Sequence, residues 1–197
     1  MRGFEIIPES WGIQGVDNNP QTLFNIPYVQ SRKREQLVTE KVLFTWSGGK
    51  DSAMAFMELS RDVRYRIASL LTTITSRYER ISMHGVRISL LEQQANSLGV
   101  PLLKVTIPEG SSNEQYESAM RSVLTRVQAD GVNAVAFGDL FLEDIRRYRE
   151  EKLSQVDMKA LFPIWKRDTR ELANSFLKAG FEAILVCVDS KFLGRSF

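Results

Sequence analysis

Three times along the chain, a helical stretch ends at a glycine and an apolar segment follows at once. The glycines are Gly99, Gly131 and Gly180, and the segments after them have the composition of buried strands. Apolar strands that alternate with amphipathic helices are typical of a parallel sheet covered by helices. The pattern therefore predicts the α/β class, with one doubly wound, mostly parallel sheet and helices on both faces.

The individual elements follow from the same signals. Apolar runs predict strands over 42–46, 67–74, 102–107, 132–137 and 183–188. Ser112 with Gln115 fits a capping box, and Asp168 with Glu171 caps a later helix. Pro163 predicts that residues 161–165 form a loop or an edge segment.

The first part of the chain differs from the rest. Residues 1–40 show no sustained helical or strand period, and we interpret them as an N-terminal extension, either disordered or docked on the body. Residues 41–197 carry the regular pattern and are predicted to be one nucleotide-binding domain. A chain of 197 residues is too short for two ordinary domains.

Composition narrows the functional classes. The net charge of +2 favours neither nucleic acid nor an anionic membrane as a partner. One cysteine, Cys187, and one histidine, His84, argue against a disulfide, a Cys/His zinc cluster and a Ser-His-Asp device. The sequence lacks an apolar run of about 18 residues and an apolar signal core, so we expect no membrane span and a cytoplasmic location.

The segment 47–52, Ser-Gly-Gly-Lys-Asp-Ser, lies between the first strand and its helix. Ligands of doubly wound sheets bind at the carboxyl ends of strands, beside the topological switch point. Gly48 and Gly49 allow a sharp turn and a close approach of backbone to ligand. The N–H groups of the turn and of the helix start would then point at an anion.

The side chains of this loop suit a nucleotide with its metal. Ser47 and Ser52 supply hydroxyl donors, and Lys50 supplies a positive charge for phosphate oxygens. Asp51 cannot bind an anion, but it suits Mg²⁺, directly or through water. The spacing excludes a Walker loop, because Phe44 stands where that loop needs a glycine, and it excludes a Gly-x-Gly-x-x-Gly fingerprint.

The six residues match the Ser-Gly-Gly-x-Asp-Ser signature without a gap. The loop therefore resembles that of the PP-loop ATP pyrophosphatases, enzymes that split ATP between its α and β phosphates and leave AMP and pyrophosphate. The alternative is a plain glycine-rich turn that caps a helix.

Further segments narrow the resemblance. They lie at 138–144 with 146–150, and at 162–165, 83–86, 94–101 and 193–195. Together they are similar to one branch of the superfamily, the diphthine–ammonia ligase-related ATP-binding proteins, which are adenine nucleotide alpha hydrolase-like. The resemblance covers about residues 41–197.

This resemblance implies an ATP-dependent, ligase-like enzyme that uses ATP and Mg²⁺. It would adenylate an unknown carboxylate or acyl substrate, let a nitrogen nucleophile from an ammonia donor attack, and release AMP and pyrophosphate. One alternative is a tRNA-modifying PP-loop enzyme, against which the near-neutral charge counts. Another is a nucleotide-binding sensor without turnover. The oligomeric state, including a homodimer, stays open.

Asp139 follows an apolar strand, so it should sit at the carboxyl edge and face the same cleft as the loop. We predict that Asp139 acts with Lys50 and Asp51 in catalysis and shares a metal with Asp51, although a helix N-cap is the alternative.

One of Arg146, Arg147 and Arg149 could meet phosphate or a substrate carboxylate, and we predict Arg147, although a charged helix usually presents a solvated face. The resemblance makes His84 a second candidate for substrate binding, although a lone histidine in a polar loop is more often a surface residue. The resemblance also implies that Thr72 and Thr73, at the end of the second strand, lie on the adenine side.

Proteins of this branch usually continue beyond their Leu-Gly-Arg into a segment with a Gly-Glu-Asn-Gly-Glu motif. The sequence given stops at Phe197, two residues after Arg195. The expectation is that the chain binds ATP better than it performs ligation.

Overall fold

A computed structural model describes residues 39–75, 86–183 and Lys191, and the backbone alone of residues 4–5, 80–81 and 184–185. The strands are β1 (Phe4–Glu5), β2 (Glu40–Thr45), β3 (Tyr65–Thr75), β4 (Arg80–Ile81), β5 (Leu102–Ile107), β6 (Val132–Ala136), β7 (Lys159–Leu161) and β8 (Ile184–Leu185). The helices are α1 (Lys50–Arg61), α2 (Ile88–Leu98), α3 (Asn113–Ala129), α4 (Glu143–Ser154) and α5 (Thr169–Lys178).

Five strands form a parallel sheet in the order β5-β3-β2-β6-β7. The predicted fold class is thereby confirmed. The two-residue strand β4 adds the one antiparallel pairing described in this sheet, at Ile74 and Thr75 of β3. Because β5 pairs with the same two residues, β4 occupies the edge of β3 that β2 has already left.

The order of the strands fixes the switch point. The chain moves from β2 through β3 to β5, and then returns to the other side of β2 to form β6 and β7. The helices that connect the first set cover one face, and the helices that connect the second set cover the other. The carboxyl ends of β2 and β6 therefore border the crevice in which such folds bind ligands.

Side-chain alternation along each strand divides the core into two layers. In β2, Val42 and Phe44 pack with α1, α2 and α5, whereas Leu43 packs with α3 and α4. Phe44 contacts Trp46 and Phe56 edge-on or tilted, with ring centroids 6.3 and 5.5 Å apart. These buried layers hold β2 and α1 in place, and so they hold the loop between them.

Local end signals were predicted well. Gly99 ends α2 in the left-handed conformation and donates its N–H to Ala95 and Asn96. Ser112 and Gln115 form the reciprocal capping box of α3. Asp168 caps α5 through the N–H groups of the next turn. Pro163 follows β7, an edge strand, and lies in a turn.

Two strand predictions were wrong in part. The last apolar segment does not extend the parallel sheet where it is described, because β8 pairs antiparallel with β1, far away in sequence. β3 runs to Thr75, so Thr72 and Thr73 lie within it and not at its end, because β5 pairs with it over six residues. Apart from β1 and residues 39–40, the N-terminal extension lies outside the described residues, as do 186–188.

None of the helices within the described ranges combines the length and the apolar character needed to cross a bilayer.

Candidate functional site

The loop after β2 makes a tight turn into the start of α1. The Trp46 N–H still donates to the Leu71 carbonyl, 2.8 Å away, and α1 begins only four residues later at Lys50. Gly48 has a φ of +74°, a conformation that a glycine adopts without a Cβ penalty. Gly49 occupies the N-cap position, and no side chain caps this end of the 12-residue helix. The helix N-terminus therefore keeps the partial positive charge that attracts anions.

Hydroxyl groups gather at this helix N-terminus. The Ser47 hydroxyl donates to the Ser52 Oγ at 3.1 Å, and the Ser52 hydroxyl donates to the Gly49 carbonyl at 2.9 Å. The Gly49 N–H points to the Ser47 Oγ at 3.4 Å, which is long for a hydrogen bond. Ser52 is buried, so its hydroxyl holds the turn together from inside through Ser47 and Gly49.

The loop after β6 packs directly against α1. A Cβ added to Gly138 would lie 3.0 Å from the Ser52 Cα and 3.1 Å from the Ser52 nitrogen. Only glycine allows this approach of two backbone segments without a shift. The contact brings Asp139, the next residue, to the same edge of the sheet as the loop.

Asp139 is mostly shielded from water and faces an arginine of α4. The Arg149 Nε lies 3.0 Å from the Asp139 Oδ2, and its Nη2 donates to the Oδ1 at 3.3 Å. The Nε and the Oδ2 are close but are not aligned as a hydrogen bond. The Arg149 guanidinium also lies over the Phe137 ring, 4.1 Å from its centroid.

Burial and two neighbouring charges act on the pKa of Asp139 in opposite directions. Burial raises the pKa of the Asp139 carboxyl, the Arg149 charge lowers it, and the Asp51 charge raises it further. Asp51 is therefore close enough for its charge to be felt at Asp139. Asp51 itself is paired with the neighbouring Lys50, and its side chain keeps 44% exposure. A divalent cation near both carboxylates would relieve the burial cost and the repulsion.

The donor set fits Mg²⁺ held together with a nucleotide. Within the described residues, no group of three or more His, Cys, Asp or Glu could hold a metal ion. Mg²⁺ commonly uses one or two carboxylates and takes its other ligands from phosphate oxygens and water. Asp51 and Asp139 supply that number, although their roles as ligands stay predictions.

The other predicted residues have separate surroundings. Thr72 is buried and Thr73 half-buried in β3, just past Leu71, the last residue that pairs with β2. Arg147 is exposed on α4, where its charge is one of several that lower the pKa of Glu143. Their predicted contacts remain untested, and His84 lies outside the described residues.

Two contributors to this edge were missed or left unresolved by the sequence. Of the three arginines of α4 that the sequence offers as candidates, Arg146, Arg147 and Arg149, it is Arg149 that contacts Asp139. Gln94 was not predicted as part of the site, yet it is fully buried and touches the loop. The signal was present, because Gln94 stands with Leu90, Leu91 and Ala95 on the apolar face of α2.

A family comparison agrees with this geometry. The model described as "Diphthamide synthase N-terminal domain" matches residues 40–160. The chain belongs to this family. The diphthamide synthase N-terminal domain family is part of the PP-loop superfamily, whose members bind ATP and are generally ATP-using enzymes. The matched range contains the loop, Asp139 and Arg149.

Two further comparisons, with curated proteins and with solved structures, do not narrow the function of the chain. A search of curated proteins found no match for this chain. Among solved structures, the U34-tRNA thiolase NcsA from Methanococcus maripaludis with its 4Fe-4S cluster matches with a TM-score of 0.44 and 16% sequence identity. The alignment covers 73% of this chain and 59% of the thiolase chain, so the chain spans less than two thirds of that protein.

Proposed function

We propose that the chain binds Mg-ATP at residues 47–52 and adenylates an acyl substrate, with release of pyrophosphate. A nitrogen nucleophile, supplied as ammonia, then displaces AMP and forms an amide. The observation that supports this best is the Gly138 contact, which sets two carboxylates beside an uncapped helix N-terminus at the switch point.

The bond changes follow from this chemistry. A carboxylate oxygen of the substrate attacks the α-phosphorus, and the bond from that phosphorus to the bridging oxygen breaks. Pyrophosphate leaves with the bond's electrons. The nitrogen then attacks the acyl carbon, the carbon–oxygen bond to AMP breaks, and the nitrogen loses a proton to solvent.

The residues of the loop act on the departing charge. The N–H groups at the start of α1, the Ser47 hydroxyl and the Lys50 ammonium would stabilise the negative charge that grows on pyrophosphate. Mg²⁺, held by Asp51 and Asp139, would supply further charge neutralisation. Because the loop carries the Ser-Gly-Gly-x-Asp-Ser signature of the PP-loop superfamily, we expect cleavage between the α and β phosphates.

Arg149 is a cation beside Asp139, and it is our candidate for binding the acyl substrate. Its guanidinium is held by Asp139 and by the Phe137 ring, so its position is restricted before any substrate binds. A restricted guanidinium binds a carboxylate at a lower entropic cost than a mobile one does. We therefore assign the acyl carboxylate to Arg149, and keep the exposed Arg147 as an outer contact.

The test uses ATP labelled at either the α or the γ phosphate. The protein is incubated with Mg²⁺, ammonium and a pool of small carboxylic acids, and the products are separated by chromatography. We expect the α label in AMP and the γ label in pyrophosphate. ADP and orthophosphate as products would contradict the proposal.

Two controls make the assay specific. Ser47→Ala should abolish product formation, whereas Ser60→Ala, in the last turn of the same helix, should leave it unchanged. A parallel reaction with total tRNA in place of the acid pool separates the RNA-modifying alternative. AMP formation that requires tRNA would favour that alternative over an acyl ligase.

A further inference from the structure

Gln94 connects α2 to the loop from inside the core. Its side chain is fully buried, and its Nε2 donates to the Gly48 carbonyl at 3.3 Å. Its Oε1 accepts from the Trp46 indole N–H at 2.9 Å. A buried amide is costly unless its groups are hydrogen-bonded, so this position demands a reason beyond packing.

The orientation of the Gln94 amide is fixed by its partners. The Trp46 indole nitrogen can only donate, so the Oε1 must face it. The Nε2 therefore faces the Gly48 carbonyl, which can only accept. This pair of bonds leaves one arrangement of the amide.

The Gly48–Gly49 peptide is the part of the loop that most needs such a partner. With a glycine on each side, no Cβ limits rotation of this peptide unit. The peptide is trans, so its carbonyl and its N–H point in opposite directions. Because the Gly48 carbonyl points inward to Gln94, the Gly49 N–H must point away from the core, toward the Ser47 hydroxyl.

Gly48 leaves the space in which Gln94 fits. A Cβ at Gly48 would lie 2.8 Å from the Gln94 Oε1 and 2.7 Å from the Leu91 Cδ2. Both the positive φ of Gly48 and the close approach of Gln94 therefore require a glycine at position 48. The long bond from Gly49 to Ser47 holds the N–H only weakly, so a better acceptor can replace it.

We propose that Gln94 is a positioning residue that orients the Gly48–Gly49 peptide and thereby aims the Gly49 N–H at the phosphates of the nucleotide. This inference rests on the proposed function, since it assumes that the loop binds those phosphates. It assigns to α2 a part in phosphate binding, through a side chain that is fully buried behind the loop.

The main variant is Gln94→Met, which keeps the length of the side chain and removes the donor. Gln93→Met is the matched control, because Gln93 is the exposed neighbour on the same helix. The measurements are the dissociation constants for ATP, pyrophosphate and adenosine. For Gln94→Met we expect affinity for ATP and pyrophosphate to fall about tenfold to hundredfold, the worth of one N–H bond to a charged group. Adenosine affinity should change less than about threefold, and Gln93→Met should match the wild type.

A second variant gives a readout that mere packing would not produce. In Gln94→Glu the introduced carboxyl is buried, so its pKa should be raised. When protonated, it offers a hydroxyl to the Gly48 carbonyl and a carbonyl oxygen to Trp46, as the glutamine does. Pyrophosphate affinity relative to wild type at the same pH should therefore recover as the pH falls. A ratio that stays constant with pH would overturn the proposal, as would an equal loss for adenosine and ATP in Gln94→Met.

The amide resonance of Gly49 separates this inference from the proposed function. Without any nucleotide, a ¹H–¹⁵N spectrum should show that resonance shifted or broadened in Gln94→Met and unchanged in Gln93→Met. A wild-type protein that binds neither ATP nor pyrophosphate would refute the proposed function. The Gly49 resonance would still show whether Gln94 orients the Gly48–Gly49 peptide. An unaltered Gly49 resonance in Gln94→Met would refute the role of Gln94, whatever the wild type binds.

Discussion

Gly138→Ala should push the loop that carries Asp139 away from the start of α1. The added Cβ would lie 3.0, 3.1 and 3.2 Å from the Ser52 Cα, the Ser52 nitrogen and the Asp51 carbonyl carbon. The nearest of these contacts falls about 0.4 Å short of the 3.4 Å at which ordinary contact begins. All three atoms are backbone in the first turn of α1, so no side chain can rotate away. Either α1 or the loop of Asp139 must move.

The expected magnitudes follow from that clash. Overpacking of a well-packed contact costs about 1–3 kcal/mol, so we expect unfolding free energy to fall by about that amount. For a domain of this size, each kcal/mol lowers the Tm by about 2–4 °C. ATP affinity should fall about threefold to tenfold, because hydrogen bonds to the phosphates weaken as their geometry departs from the optimum.

The assay combines urea unfolding with a calorimetric ATP titration. Phe141→Ala, at an exposed position of the same loop, is the control and should leave both quantities near the wild-type values. Wild-type stability together with wild-type ATP affinity in Gly138→Ala would refute the close packing of the two loops.

Four further predictions concern the charges of the site. Asp51→Asn should reduce turnover by more than about tenfold, because it removes a proposed ligand of Mg²⁺. The unfolding midpoint in urea should not change, because the exposed Asp51 carboxylate is not part of the core. Unchanged turnover at saturating Mg²⁺ would exclude a metal role for Asp51. Burial raises the pKa of Asp139, so the Mg²⁺-dependent affinity for ATP should fall as the pH falls through that raised pKa and the carboxylate is protonated. Asp139→Asn should lack this pH dependence in a titration matched to the wild type. Without Mg²⁺, the pKa of Asp139 is higher in the folded state than in the unfolded state, so protonation of this carboxyl favours folding. This contribution to the free energy of unfolding is present at low pH and is lost as the pH rises through the folded-state pKa. Urea unfolding at a series of pH values would detect the loss. Arg149→Lys should lower the affinity for the acyl substrate more than the affinity for ATP, since a lysine cannot make a two-point contact with a carboxylate. An equal loss of affinity for both would contradict the assignment of Arg149.

The sequence specified those features that depend on near neighbours. The ends of α2 and α3 were predicted because Gly99 and Ser112 act within one helical turn. The edge position of Asp139 followed from a general rule of parallel sheets, which needs only the strand before it. These predictions required no knowledge of which elements meet in space.

The remaining features depend on contacts between distant segments. Gln94 touches a loop 46 residues away, and Gly138 touches a helix start that no periodicity connects to it. The choice of Arg149 over Arg147 depends on the rotation of α4 against β6. The pairing of β8 with β1 joins opposite ends of the chain. A single sequence shows the apolar character of such segments but not their partners.

The proposed site is tested most directly by the amide resonances of residues 47–52 during titration with Mg-ATP. The account predicts that the largest ¹H–¹⁵N shifts fall on Gly49, Lys50 and Asp51, and that pyrophosphate alone reproduces them. Shifts confined to another edge of the sheet, or a loop that does not respond to saturating Mg-ATP, would contradict it.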